Sequence, residues 1–487
     1  MISDPAATLH RSHPNLVPDH GSFRDRANRV YDDGRTIIRG INAEALRHWN
    51  DVSETAFFRE LLESGKVVRT SVCSGEQFRV PDAEWSAYLT HERIPFVSYP
   101  YEWCFGMLKD AALLHLDILE QAIPQGWTLK DATAYNVQFV GARPVFIDIP
   151  SFTPYAKGEP WIGYRQFCMM FLYPLMLRAY CGIDYLPMLR GSLDGIDPET
   201  ANQILSGSAR FRKGVFGHVY LHAKMQARYR SQDLELAKRL TENAGGSVVE
   251  QKAGRHSEAM VLGMIQSLRR IVTRLETPES RTTWGDYETD HSYAESSFAA
   301  KKAFVERAVH ARRRSLVWDV GCNTGTFSAL AASGGAYVVA VDGDAKAIER
   351  LYQRQREAHA ENILPLVMNL SSASPDQGWR GRERKALEKR GKPELILCLA
   401  LIHHIVISAN IPVSEFLDWL RDFDCEVVIE HVGLDDDMTL MLLRNRVNQY
   451  QDLGKAEFER LLTERFEIKA REPLKGGTRE IFHVSPK

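Results

Sequence analysis

SLVWDVGCNTGTFSALAASGGAYVVAVDGD, residues Ser315 to Asp344, is the stretch on which the fold turns. It opens on an apolar run, Leu316-Val317-Trp318, which reads as a buried parallel strand. A turn carrying Gly321 and Gly325 follows, then a helical segment from Phe327 to Ser333. Gly334-Gly335 stops that helix, and the β-branched strand Tyr337 to Val341 ends in Asp342. Strand, glycine turn, helix, strand and acid make a nucleotide-binding βαβ unit. The glycines let backbone approach a ligand, and the acid takes a ribose hydroxyl pair.

A dinucleotide fingerprint would place GxGxxG here, with a helix N-terminus aimed at a pyrophosphate. This turn has Asn323 where the middle glycine would stand, and Asp319 ahead of it. An acid in that place suits a ligand carrying an amino group and a sulfonium better than one carrying phosphates. A Rossmann-like turn with another ligand, or none, is the alternative reading. The whole pattern resembles motif I of the class I S-adenosylmethionine-dependent methyltransferases, and the resemblance, not the spacing, names the cofactor.

That resemblance implies that Asp319, Gly321, Asn323, Gly325 and Asp342 hold S-adenosyl-L-methionine. It sets Asn369, after the strand Ile363 to Met368, against the adenine amino group through its side-chain oxygen, with Ala400 also on the cofactor. Tyr287 and Tyr293, upstream, would cover the methionine end. The fourth strand, Glu394 to Leu399, runs into His403-His404, and the fifth, Cys425 to Ile429, ends at Glu430-His431. Carboxyl ends of parallel strands open on the ligand crevice. His403, His404 and Glu430 are therefore the candidate bases for an acceptor hydroxyl, with helix-start packing the other reading of the histidines. Phe466 to Ala470 and Glu480 to Val484, joined across Gly476-Gly477, supply a closing hairpin. The expected fold is α/β, a Rossmann-like seven-stranded methyltransferase sheet.

The N-terminal half reads as α+β. Ser22 to Ile41 is a hairpin turning at Asp33-Gly34, Ala43 to Gly65 and Trp103 to Ile123 are helical, and Pro95 to Tyr99 is a short strand. In GWTLKDATAYNVQFVGARPVFIDIPSF, residues Gly126 to Phe152, Asp131 and Asn136 precede a hairpin across Gly141 that ends at Asp148. This resembles the catalytic and metal-binding loops of the protein kinase and aminoglycoside phosphotransferase fold. The resemblance implies a base at Asp131 and magnesium ligands at Asn136 and Asp148, hence an ATP/Mg site. The pattern departs elsewhere: no Gly-rich phosphate loop precedes the first hairpin, Arg39 is the nearest counterpart of the strand lysine, and Leu129-Lys130 replace His-Arg. An atypical kinase-like domain is expected, with Asp131 and Asn136 bracing their own loop as the other reading.

At 487 residues the chain holds two domains or three. The expected division is a disordered 1–20, a kinase-like 21–242, a linker and helical connector with the cofactor-covering segment at 243–300, and the methyltransferase domain at 301–487. Net charge of -2 gives no global case for nucleic acid or an anionic membrane, and no Asn-Pro-Pro-Tyr motif follows the fourth strand. Arg380 to Lys392 is a basic, helix-like run read as a solvated face. The seven cysteines form no CxxC, so buried thiols in a reducing cytosol are expected, with no membrane span and no metal in the methyltransferase domain. Most of the chain resembles a bacterial two-domain methyltransferase family, implying in-line methyl transfer to a small-molecule or carbohydrate acceptor. A bifunctional protein that also phosphorylates, and a non-catalytic protein that binds the donor, are the alternatives.

Overall fold

The structure, a computed structural model, describes residues 16–73, 85–228, 257–277, 295–444, 450–474 and 476–487. In the N-terminal half, β1 (Val17–Pro18), β2 (Asn28–Asp32) and β3 (Ile37–Ile41) are antiparallel neighbours. Helices α1 (Ala43–Ser53) and α2 (Ala56–Glu63) lead to β4 (Thr70–Cys73) and β5 (Ala87–His91), and the sheet order is β1-β2-β3-β5-β4. The α+β expectation holds, with differences of detail. Leu16 is buried and Val17 pairs with Asp32, so the order of the sheet reaches into the segment expected to be disordered. Pro95 to Tyr99 is not a strand, since Pro95 and Pro100 bracket it and deny it ladder donors.

The centre of this half is α3 (Phe105–Ala122), buried along most of its length because apolar residues recur on more than one face. Around it lie β6 (Trp127–Leu129), which pairs with β9 (Phe152–Pro154), and the hairpin of β7 (Val137–Val140) and β8 (Arg143–Phe146). Then come α4 (Tyr164–Phe167), a π-helical stretch Cys168–Leu172, α5 (Tyr173–Cys181), α6 (Leu186–Gly191) and α7 (Pro198–Ile204). Helix α8 (Glu258–Arg274) packs its buried Val261, Ile265, Leu268 and Val272 toward α3. The linker expected at 243–256 lies outside the described residues.

The C-terminal half begins with α9 (Glu295–His310), followed by β10 (Leu316–Val320), α10 (Thr326–Ser333), β11 (Tyr337–Asp342), α11 (Ala345–Glu357) and β12 (Ile363–Val367). Next are β13 (Leu395–Cys398), α12 (Val413–Arg421), β14 (Glu426–Val432), α13 (Asp437–Leu443), α14 (Lys455–Arg465), β15 (Phe466–Pro473) and β16 (Arg479–Pro486). The seven strands order as β12-β11-β10-β13-β14-β16-β15, with β16 antiparallel to β14 and to β15 and the first five strands parallel. Chain order reverses between β10 and β13, which puts a crevice at their carboxyl ends.

The stretch between β12 and β13 differs most from its reading. Arg380 to Lys392 is no helix: it forms short 3-10 turns, with Arg380 in a left-handed conformation. Nor is it merely a solvated face. Arg390 has 0 % and Glu102 1 % of its side chain exposed, and their two-pronged ion pair has contacts of 2.7 and 2.6 Å. The Arg390 guanidinium also lies 5.2 Å from the Phe96 ring and 4.8 Å from the Tyr99 ring. Lys385 pairs with Asp19, and Glu383 takes Arg24 through two hydrogen bonds. Charge density that looks like solubility is in fact a strap, because partners from the other half neutralise it.

A second seam joins α11 to the N-terminal half. Tyr352 donates to Asp110 at 2.7 Å, and Glu349 accepts from the Gly106 amide at 2.8 Å. The Gly141 amide donates to the Tyr337 hydroxyl, and a Cβ on Gly141 would sit 2.5 Å from the Glu361 backbone. Only glycine lets the β7–β8 turn come that close.

Candidate functional site

The turn after β10 is shaped by three left-handed residues, Gly321 (φ 78°), Asn323 (φ 49°) and Gly325 (φ 85°). Asparagine tolerates that region, which is why it can stand where glycine was expected. The amides of Gly321 and Cys322 both donate to Val341 O at the end of β11, tying the turn to its neighbour strand. A side chain at 325 would meet Leu351 of α11 at 2.6 Å, so the helix start packs directly on the turn.

Asp342 faces this turn. One carboxylate oxygen accepts the Asn323 amide and the other the Asp344 amide, each at 2.8 Å. Burial raises its pKa above the ordinary carboxylate value. Asp319, on β10, is buried more deeply and accepts from Ser328 Oγ at 2.6 Å; burial pushes it up to about 7. A buried and a half-buried acid near one turn, neither ion-paired among the described residues, make a site that gains from a cationic, hydroxyl-bearing ligand.

Behind the turn runs a buried ionic chain. Lys301 of α9 pairs with Glu430 of β14 at 2.6 Å, with both side chains almost wholly enclosed. Arg479 of β16 lies 3.6 Å from Glu430 and grips Asp436 by two hydrogen bonds of 2.6 and 2.8 Å. Glu430 also accepts the Ala400 amide at 2.9 Å and so fixes Ala400, which is left-handed at φ 51° after β13. A non-glycine residue held there costs about 1 kcal/mol or more and is stable only where surroundings impose it.

The sequence-derived candidates divide accordingly. Asp319, Gly321, Asn323, Gly325, Asp342 and Ala400 stand at the carboxyl ends of β10, β11 and β13. Asn369 follows β12, but its side-chain oxygen already accepts from the Ser371 amide and hydroxyl as the cap of a short 3-10 turn. The oxygen expected on adenine is thus committed to its own loop. Glu430 lies within β14 and not beyond it, and it is ion-paired with Lys301. The rings of His403 and His404 lie 4.2 Å apart between centres, tilted by 42°; burial lowers the pKa of both. His403 Nδ1 is buried without a hydrogen-bond partner among the described residues. Tyr287 and Tyr293 lie outside the described residues.

Sequence reasoning missed Lys301 and Arg479. A signal for the first existed: Ser297, Lys301, Phe304, Val305 and Ala308 share one buried stripe of α9, so the lysine sits where an apolar residue is the rule. Arg479 gave none, since a strand-end arginine normally reaches solvent.

The N-terminal candidates also come together. Asn136 Nδ2 donates to Asp131 at 2.6 Å and Ser151 Oγ to the same oxygen at 3.1 Å. Burial and the neighbouring Asp148 push Asp131 up to about 6. Asp148, however, is 2.8 Å from Arg39 Nη1, and Arg39 also binds Asn28. One acid is thus bonded within its loop and the other is neutralised by a fixed cation. No cluster of three or more His, Cys, Asp or Glu side chains able to hold a metal occurs among the described residues. Asp131, Asn136 and Asp148 as arranged do not fit a magnesium ion.

No family model matches the chain. The nodulation protein NoeA of Rhizobium meliloti (strain 1021) is 31% identical over 468 residues, spanning 95% of this chain and 94% of the relative. The chain belongs to the NoeA family. Among solved structures, the N-methyltransferase NodS from Bradyrhizobium japonicum WM9 is 14% identical with a TM-score of 0.30, covering 40% of this chain and 98% of NodS. Magnesium protoporphyrin IX methyltransferase (ChlM) from Synechocystis PCC 6803 with bound SAH is 16% identical with a TM-score of 0.30, covering 45% of this chain and 92% of ChlM. The similarity to NoeA spans both halves of the chain.

Proposed function

We propose that this NoeA-family chain is an S-adenosylmethionine-dependent methyltransferase acting on a small-molecule or carbohydrate acceptor. One observation carries the reading: Asp342 projects over the Gly321–Gly325 turn, held by two backbone amides and by no cation among the described residues. A carboxylate so placed accepts a ribose diol, and its neighbour Asp319 favours a ligand with positive charge. The cofactor supplies an activated methyl group on a sulfonium, a good leaving group. The chain's task is alignment of the acceptor and exclusion of water, which accounts for several kcal/mol of barrier. Asp342 binds the ribose, the left-handed turn lets the donor lie against backbone, and Asp319 favours the amino end. His403 or His404, held neutral by burial, takes the proton from a hydroxyl acceptor.

The test is calorimetry of the folded chain with S-adenosylmethionine and its demethylated product, followed by transfer of a labelled methyl group to small-molecule and oligosaccharide fractions. Binding of both, weakened in Asp342→Ala, is expected. Absence of heat sinks the proposal, and tight binding with no transfer to any acceptor leaves a donor-binding protein that is no enzyme.

A further inference from the structure

The net charge of -2 conceals a strongly one-signed segment. Between Glu199 and Asp233 the sequence has no acid but carries Arg210, Arg212, Lys213, Lys224, Arg228 and Arg230. The described part of it forms a 3-10 turn, Gly207–Phe211, and a π-helical stretch, Phe216–Leu221, that continues as helix over 222–228.

This helix has two apolar faces. Val215, Val219 and Ala223 are buried inward. The inward face is also pinned by polar bonds: Tyr173 donates to His218 O at 2.9 Å and bonds His222 Nδ1 at 2.7 Å, and Tyr164 bonds His218 Nδ1 at 2.8 Å. The orientation is therefore fixed, and the other apolar residues point outward by construction. Phe211 is 90% exposed, Phe216 55%, Met225 55% and Leu221 41%. Cations stand between them: Arg210 and Lys224 flank the Tyr220 ring at 4.5 and 5.2 Å, and Arg212 lies 5.9 Å from Tyr180.

Water solvates such a face poorly. Three large apolar side chains exposed on one helix, with Phe211 on the 3-10 turn before it, exceed the scattered exposure normal for a soluble surface. Aromatic and aliphatic side chains interleaved with lysine and arginine, on a helix lying along the surface, suit the boundary of a bilayer whose headgroups are anionic. Apolar tips enter the acyl boundary while the longer cationic side chains reach phosphates. No helix among the described residues is long and apolar enough to cross a membrane, so the contact would be peripheral.

We propose that the face formed by Phe211, Phe216, Leu221 and Met225 with Arg210, Arg212 and Lys224 docks the protein on an anionic lipid surface. The proposal stands apart from the methyl-transfer reading, since it uses none of the residues around Asp342.

The experiment is co-sedimentation of the full chain with vesicles of phosphatidylglycerol in phosphatidylcholine, against pure phosphatidylcholine, at low and high salt. Two variants accompany it, Arg212→Gln with Lys224→Gln, and Phe211→Ser with Phe216→Ser; all four side chains are exposed, and thermal melts check folding. Binding to the anionic vesicles that weakens with salt is expected, with about a fivefold loss for each charge removed and at least about a tenfold loss in the phenylalanine pair. Equal binding to both vesicle types overturns the proposal, as does anionic-vesicle binding that neither variant changes. A concentration-dependent dimer abolished by the phenylalanine pair, without vesicle binding, also overturns it and assigns the face to a second copy of the chain.

Discussion

Asp342 and Asp148 close two clefts in the same manner, each an aspartate at or just beyond the end of a strand, beside a polar turn. Their partners differ. Asp342 is held by amides of its own and the adjacent turn, and Asp148 by the guanidinium of Arg39. Amides fix a carboxylate's position without cancelling its charge, which is what the proposed donor site asks of Asp342. A salt bridge cancels the charge, and the Asp148 cleft is satisfied by its own chain. Residue type at a strand end is thus a weak guide to function, and the partner decides.

Both clefts belong to one folded body because Arg390 and Glu102 join the halves in the absence of water. Arg390→Ala leaves Glu102 buried and unpaired, an expected loss of about 3–5 kcal/mol in urea unfolding. Arg390→Met combined with Glu102→Gln should recover a substantial part of it. Equal losses in the single and double variants would mean the pair is only packing.

Between the clefts, donor affinity draws the sharpest line. Asp342→Asn is expected to weaken S-adenosylmethionine about a hundredfold, the value of two hydrogen bonds to a charged group, and Asp148→Asn to leave it unchanged. A similar loss in both variants would erase the distinction. Next in size is a pH effect on the same affinity. Asp319 has a folded pKa of about 7 against 3.8 for the free side chain, so it is protonated in the folded chain where the unfolded chain is ionised. Its contribution to stability is complete below about pH 4 and lost as pH rises toward 7. A cationic donor favours the ionised form, so binding below pH 7 must expel a proton, and affinity climbs by up to about tenfold per pH unit up to 7. Calorimetry in buffers of different ionisation enthalpy measures that proton, and Asp319→Asn should flatten the profile.

How much of this was legible beforehand follows from range. The βαβ unit, the closing hairpin and the Asp33-Gly34 turn are local patterns, and the strands and helices they dictate are present. Local chemistry likewise placed Asp342 opposite its turn. Long-range pairing was invisible: Lys301 meets Glu430 and Arg390 meets Glu102 across more than a hundred residues each, and no periodicity reports such a partner. That is why the cation beside Glu430 went unnamed and the run from Arg380 to Lys392 read as a solvated helix. The bond from Ser371 to Asn369 is local, but a short side chain has several neighbours within reach and the sequence does not say which it takes.

The smallest expected effect sharpens the contrast between the clefts. If Arg39 alone makes the Asp131–Asp148 cleft indifferent to cations, Arg39→Gln should convert it. Removal of the guanidinium leaves Asp148 without its cation beside Asp131, whose pKa of about 6 is already raised by burial and by that neighbour. Two carboxylates and Asn136 would then stand together without the Arg39 guanidinium, and a divalent ion becomes a favourable way to neutralise them. Titration with manganese, followed by water-proton relaxation, should show no binding to the parent chain and weak binding to the variant, lost again in Arg39→Gln with Asp148→Asn. Tight manganese binding by the parent would place a working metal site where a salt bridge now stands, and the two aspartates would cease to be opposites.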